Sequence, residues 1–377
     1  HHLQYLIRRL SASGPDASVG VSFPRCREAC MEQMSSTRLA SGHEVVHMSE
    51  EWLARMGQDQ TLYNNGMVRL LPDGWLYPTL FTEYAERIYN FKFRSSDVVV
   101  MTMPKSGTTW MQEVVWTMLH NPDLNHPLAG EPIYHRSPEI DLDMILDGKG
   151  LEGVSIDHFI KAFHEVCPGR KIEDGMAFQM CELMPDPRVM KSHLPFALLT
   201  PHILEQTKVI YVARSPKDVV VSYYYFFRVM KLFTYTGTFE SFVKHFMNND
   251  LIYTPYWPHV KQAWQRRDHP NMYFVFYEEM KSDIMTQLRR LNDFLGLNLT
   301  QKQLDKVAHQ SSFNSMKERG EPIKDMEAFI PDKHKKFGGY FRKGIVGDWK
   351  NHFTPELEQE MNQWIEKHAS EIGITFK

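Results

Sequence analysis

Four clusters along the 377 residues hold side chains that could do chemistry. The first is Pro104-Lys105-Ser106-Gly107-Thr108-Thr109-Trp110, where a lysine, a glycine and hydroxyl residues share one turn. Such a turn binds anions when a helix follows it. The free N–H groups and the positive dipole end face the turn, Gly107 lets an anion approach the backbone, and Lys105 adds a full charge. The second is Lys191-Ser192-His193, with Lys191 and His193 on the same face of an extended segment. The third joins Arg214, directly after an apolar run, to Ser222 two helical turns later. The fourth is Arg342-Lys343-Gly344, inside GGYFRKGIVGDWK at 338–350, two cations on a flexible backbone suited to gripping a phosphate. Trp110, Tyr277 and Phe313 are aromatics that could stack on a base. Taken singly, each feature has an ordinary structural reading, and their joint presence is what counts.

A nucleoside triphosphatase or kinase is the obvious competitor. Its loop, G-x-x-x-x-G-K-[ST], places the lysine after the second glycine. Here Lys105 precedes Gly107 and no first glycine is present. Such enzymes also need an aspartate at a strand end to hold Mg²⁺, where this chain has Arg214. Two separate cationic grips match a nucleotide with phosphate at both ends of its ribose, and no metal is expected.

Positioning these clusters requires strands that feed helices. Val98-Val99-Val100-Met101 is an apolar run short enough to be one buried strand, and Met111, Val114, Val115 and Met118 then recur at helical spacing. Further strands are predicted from Val189, at 208–213 and at 271–277. Helices are predicted at 81–91, through SYYYFFRVM, at 239–247 and 256–266, in the stretch closed by Gly296, and in QLDKVAHQSSF. A last helix starts at Thr354, with Pro355 in its first turn. The alternation implies a single α/β domain with a central parallel sheet flanked by helices and a P-loop-like strand–loop–helix. In a doubly wound sheet the C-terminal strand ends face one crevice, which would gather the four clusters. The expected division is an N-terminal extension over 1–61, partly irregular with Ser49 as a helix cap, and a main domain over 62–377. The Pro-, Asp- and Gly-rich stretch 121–150 reads as a lid or binding loop.

Composition narrows the partners. With 42% apolar and 12% aromatic residues the chain can bury a sizeable core, and a net charge of −3 does not favour a nucleic-acid binder. Cys26, Cys30, Cys167 and Cys181 are too few for a disulfide framework and read as reduced thiols. No apolar run approaches the ~20 residues of a membrane span. The expected location is the cytoplasm.

With these clusters in place the chain resembles the cytosolic sulfotransferases, over roughly 62–377. The resemblance is carried by PKSGTTW at 104–110, KSHLP at 191–195, YVARSPKDVVVSYY at 211–224, FYEEMK at 276–281 and RKGIVGDWKNHFT at 342–354. It implies transfer of a sulfuryl group from 3′-phosphoadenosine 5′-phosphosulfate (PAPS) to a hydroxyl or amine of a small molecule, leaving 3′-phosphoadenosine 5′-phosphate (PAP). It also implies roles. Lys105, Ser106, Gly107, Thr108 and Thr109 would hold the 5′-phosphosulfate. Arg214, Ser222, Arg342, Lys343 and Gly344 would hold the 3′-phosphate. Trp110, Tyr277 and Phe313 would enclose the adenine, with Ser311 and Ser312 beside it. His193 would be the base, with Lys105, Lys191 and Ser222 completing the catalytic set. Phe81, Tyr134, Tyr223 and Phe226, together with His193, would line the acceptor site. Two neighbouring readings share the resemblance: a sulfonation-coupled dehydratase and a non-catalytic nucleotide-binding protein.

The chain also departs from the family pattern. The C-terminal dimer motif K-x-x-x-T-V-x-x-x-E keeps Lys350 and Thr354, but Pro355 replaces Val and Gln359 replaces Glu, so a monomer or weak homodimer is expected. Glu139 stands near where many relatives place an aromatic, which suggests a polar or cationic acceptor.

Overall fold

Two four-stranded sheets organise the residues described by the computed structural model, 37–146, 155–320 and 328–376. The first is an antiparallel meander of Thr37–Arg38 (β1), Glu44–His47 (β2), Met67–Leu71 (β3) and Trp75–Pro78 (β4). The second is parallel, built from Val98–Met101 (β5), Val189–Ser192 (β6), Lys208–Ala213 (β7) and Met272–Phe276 (β8) in the order β6-β5-β7-β8. This is the α/β class that the alternation of apolar runs and helical spacing implies.

Strand β5 is buried along its whole length, yet its residues divide between two hydrophobic clusters. Val99 and Met101 join one, Val98 and Val100 the other, as expected when successive side chains point to opposite faces. A strand covered on both sides loses its polar alternation and reads as an unbroken apolar run. In β7 the same division separates Val209, Tyr211 and Ala213 from Ile210 and Val212.

Helices supply the cover. Glu50–Gly57 (α1) is capped by the Ser49 hydroxyl, which accepts from the Trp52 N–H. Phe81–Tyr89 (α2), Thr108–His120 (α3), Pro216–Val229 (α4), Phe239–Met247 (α5) and Tyr256–Trp264 (α6) follow. Ile284–Leu295 (α7) stops at Gly296, whose φ of 73° is the left-handed conformation that glycine adopts freely. Gln301–Gln310 (α8) and Pro331–Phe337 (α9) precede the last helix, Pro355–Ile372 (α10), capped by Thr354. The described part of the loop expected at 121–150 carries helical turns at Pro127–Gly130, Ile133–Arg136 and Leu142–Met144.

The antiparallel sheet crosses the boundary expected at residue 61. Strand β2 pairs with β3 from Glu44↔Leu71 to His47↔Val68, and Val45 and Leu70, opposite one another, both join the main core. Residues 37–61 are thereby tied to the larger domain, while residues 1–36, with Cys26 and Cys30, lie outside the described residues. Cys167 and Cys181 are buried free thiols. Among the described residues no helix is long and apolar enough to cross a membrane, and no cluster of His, Cys, Asp or Glu could hold a metal ion.

At the N-terminal end of β5, Asp97 is fully buried and takes the Arg188 guanidinium on both carboxylate oxygens, at 2.8 and 2.5 Å. Arg188 spends its remaining donors on the carbonyls of Cys181, Glu182 and Lys92. Removing the carboxylate would strand a guanidinium in the interior. Asp97→Ala is therefore expected to lower stability by about 3–5 kcal/mol, measured by urea unfolding, without altering turnover of the folded fraction.

Candidate active site

The turn after β5 is shaped for an anion. Lys105 adopts a left-handed φ of 69°, and its carbonyl accepts from the Arg214 guanidinium at 3.0 Å. Gly107 has φ 104°, and a Cβ there would come within 2.7 Å of the Tyr277 ring, so only glycine fits. The hydroxyls of Thr102 and Thr108 bond to each other at 2.6 Å across the turn. Helix α3 then begins at Thr108, presenting its N-terminus to the turn. The Lys105 ammonium lies against two aromatic faces, Phe226 at 4.1 Å and Tyr340 at 4.3 Å.

His193 follows β6. Its Nδ1–H donates to the Thr102 carbonyl at 2.9 Å, and because a carbonyl can only accept, this fixes the tautomer and leaves Nε2 as the basic atom. Burial, reinforced by the Lys191 charge, pulls the imidazole pKa down to about 4. The ring is therefore neutral at physiological pH. Behind it, the His193 N–H donates to Asp141 at 3.2 Å, and the His193 carbonyl accepts from His259 Nε2 at 3.0 Å. His259 in turn accepts from the Tyr211 hydroxyl at 2.7 Å.

Lys191 pairs with Glu139 at 2.7 Å. The pairing is set by backbone: the Lys191 N–H donates to the Pro138 carbonyl and the Ile140 N–H to the Lys191 carbonyl, each at 3.0 Å, so 138–140 lies alongside β6. Burial works against the Lys191 ammonium, but Glu139 outweighs it and the pKa is raised. Burial, with the Glu139 charge added, pushes Asp141 upward. The acid expected to attract a cationic acceptor is thus already neutralised from within.

The basic triplet sits on a strap running over α4. Arg342 and Lys343 each contact Asp348 at 2.6 Å. Against the upward push of burial, their hydrogen bonds hold the Asp348 carboxyl well below the usual range. Asp218 accepts from the N–H groups of Gly347 at 2.7 Å and Trp349 at 3.1 Å, which pins the strap to α4. Arg214 clasps both parts: one nitrogen reaches the Lys105 carbonyl, another the Ile345 carbonyl at 3.1 Å.

A cavity of about 280 Å³ joins these parts. Of the residues singled out in the sequence, Lys105, Gly107, Thr108, Thr109, Trp110, Tyr134, Lys191, His193, Arg214, Ser222, Tyr223, Phe226, Tyr277, Phe313, Arg342, Lys343 and Gly344 all line it. Ser106, Phe81, Ser311 and Ser312 do not. Phe81 lies behind the wall, stacked on Tyr77 at 4.6 Å. The Ser311 hydroxyl is buried and donates to the Val307 carbonyl at 2.8 Å, so it is turned away from a base, and the Ser312 hydroxyl caps the helix Phe313–Arg319. Both hydroxyls are engaged in local hydrogen bonds. Four residues that sequence reasoning missed belong to the site: Thr102, Tyr253, Tyr340 and Asp348. The last two flank the basic triplet, so proximity to it was a usable signal. Tyr253 had none; its ring packs 5.4 Å from His193 because its N–H is tied to Leu76 of β4 at 3.0 Å.

The walls fit a phosphorylated nucleotide. On the wall Trp110 Nε1 and Arg214 Nε, and in the turn beside it Ser106 Oγ, are buried polar atoms with no hydrogen-bond partner among the described residues. A Cβ at Gly344 would come within 2.2 Å of the Phe313 ring. Arg214 lies over Tyr277 at 4.3 Å, and Trp110 meets Tyr277 edge-on at 5.6 Å, forming an aromatic corner beside the anion turn.

Known proteins bear directly on this geometry. The chain is 35% identical to sulfotransferase 1A1 of Mus musculus over 301 residues, 79% of this chain and 92% of that protein. It is 31% identical to sulfotransferase 1E1 of Homo sapiens over 300 residues, with coverage of 79% and 92%. Among solved structures, retinol dehydratase in complex with retinol and PAP superposes with a TM-score of 0.74 at 26% identity, covering 89% of this chain and 99% of that one. Mouse sulfotransferase SULT7A1 complexed with PAP gives 0.59 at 25% identity, covering 78% and 93%. Residues 95–373 match the sulfotransferase domain, and the chain belongs to the sulfotransferase family, enzymes that transfer a sulfuryl group.

Proposed function

We propose that this enzyme uses PAPS as donor and sulfonates a hydroxyl or amine of a small apolar acceptor, with His193 as general base. The observation that carries the reading is the tautomer of His193. With Nδ1–H fixed on Thr102 and the pKa low, a neutral Nε2 shares one cavity with the Lys105 and Lys191 ammoniums.

The donor supplies a sulfuryl group attached to a good phosphate leaving group. Lys105 and the α3 N-terminus offset charge on that phosphate, and Lys191 faces the sulfuryl oxygens. Arg342, Lys343 and Gly344, with Arg214 and Ser222, hold the 3′-phosphate. Asp348 pairs with both strap cations and restrains them. Trp110, Tyr277 and Phe313 enclose the adenine. His193 Nε2 takes the acceptor's proton as its oxygen or nitrogen attacks sulfur. Most of the rate enhancement comes from positioning and fixed cations, as in phosphoryl transfer.

The acceptor end explains the preference for an apolar molecule. Glu139 is paired with Lys191, and Leu142, Ile145, Leu146, Ile156 and Phe233 make up much of the remaining wall. The enzyme would act in the cytoplasm as a monomer or weak homodimer. Incubating the protein with PAPS and a panel of alcohols, phenols and amines tests the reading: PAP must appear together with a product heavier by one sulfo group. Absence of transfer to any of them would count against it.

The greater span of the retinol dehydratase match, 89% of this chain against 78% for the mouse sulfotransferase, favours one second reading, in which a sulfonated alcohol loses sulfate to give net dehydration. Product mass separates the two, since that product is lighter than the acceptor by one water.

A further inference from the structure

Two residues ahead of Arg342, the strap sends a tyrosine into the cavity. The Tyr340 hydroxyl lies 2.7 Å from the Thr109 hydroxyl, in the first turn of α3. Its ring is one of the two aromatic faces against the Lys105 ammonium. Lys191 lines the same cavity. One phenol therefore adjoins Lys105 and the helix terminus, in the cavity that Lys191 also lines.

We propose that the Tyr340 hydroxyl donates a hydrogen bond to the sulfuryl group during transfer, completing a seat whose other members are Lys105, Thr109 and Lys191. The proposal rests on the sulfuryl-transfer reading of this cavity. A hydroxyl donor in a cavity that holds two ammoniums adds a directed hydrogen bond without a third cation, which suits oxygens whose charge shifts along the reaction. Covering Lys105 does not require the hydroxyl, since Phe226 does the same with a bare ring. The bond to Thr109 is an exchangeable one: two neutral hydroxyls give up each other for a charged oxygen, which forms the stronger hydrogen bond.

The strap also ties this group to the nucleotide. Arg214 bonds to the Ile345 carbonyl and to the Lys105 carbonyl, so the segment bearing Tyr340 and the anion turn are held by one guanidinium. A 3′-phosphate engaged by Arg342, Lys343 and Gly344 thereby fixes the position of Tyr340 as well.

Tyr340→Phe keeps the ring and removes only the donor. Its kcat with PAPS is expected to fall about tenfold to hundredfold. The acceptor KM, the melting temperature and the affinity for PAP, which lacks the sulfuryl group, should stay within about threefold or a few degrees of the parent. A variant with unimpaired kcat overturns the proposal. So does one whose kcat and PAP affinity fall together, because the hydroxyl would then only latch the strap. A parent enzyme with no transfer at all overturns the underlying reading and this role with it, whereas an active parent with an unimpaired variant overturns this role alone.

Discussion

Replacing His193 by alanine is expected to lower transfer by about a thousandfold or more, while PAP binding stays within about threefold of the parent. The size follows from the wiring of the ring. Its Nε2 is the one basic nitrogen, because Nδ1 donates to Thr102, and among the described residues no second imidazole lines the cavity: His259 behind it is spent on the His193 carbonyl and Tyr211. The pH profile gives an independent check. The base works only when neutral, and its pKa is depressed from 6.5 to about 4, so activity is present above that range and lost as pH falls through it. The acid limb of kcat/KM in the parent enzyme should therefore lie near pH 4, well below that of an ordinary histidine. A limb near 6.5, or an alanine variant that still turns over, would mean that another group takes the proton.

Lys105→Met should have the next largest effect, a fall in kcat of about a hundredfold with a smaller loss of PAP affinity. Methionine keeps an unbranched apolar stem against Phe226 and Tyr340, so the difference reports the charge rather than the packing. The charge matters most when the bond to the leaving phosphate is breaking, which is why kcat should suffer more than binding. Isothermal calorimetry with PAP and steady-state rates with PAPS measure the two sides. Equal losses in both would reduce Lys105 to an ordinary binding group.

The parts of the molecule legible in the sequence are those where a single strand and the turn after it carry the whole signal. Strands β5 and β7 are short apolar runs, and each ends in residues whose chemistry is local: Lys105 to Thr109 after one, Arg214 after the other. Thr354 and Gly296 announced helix ends for the same reason. What escaped was long-range. The meander β1–β4 has strands of two to five residues, too short for a convincing period, and its existence depends on Val45 meeting Leu70. Glu139 was visible as a charge, but its pairing with Lys191 depends on a backbone ladder between segments fifty residues apart, and that pairing engages the carboxylate within the protein. Ser311 shows another limit: its place in the stretch is legible, but its hydroxyl's bond to the Val307 carbonyl follows from helix geometry that the residue type alone does not specify.

The meander contributes no charged or nucleophilic group to the cavity, yet it backs the imidazole. Leu76 exchanges hydrogen bonds with Tyr253 and Thr254, Tyr253 is held at a left-handed φ of 68° against the His193 ring, and Trp75 meets His259 edge-on at 6.1 Å. The proposed base, His193, is thus propped from behind by strands that precede the anion turn and share no ladder with the parallel sheet. Packing faults in that prop would therefore reach the imidazole through Tyr253 and His259 without touching the anion turn directly.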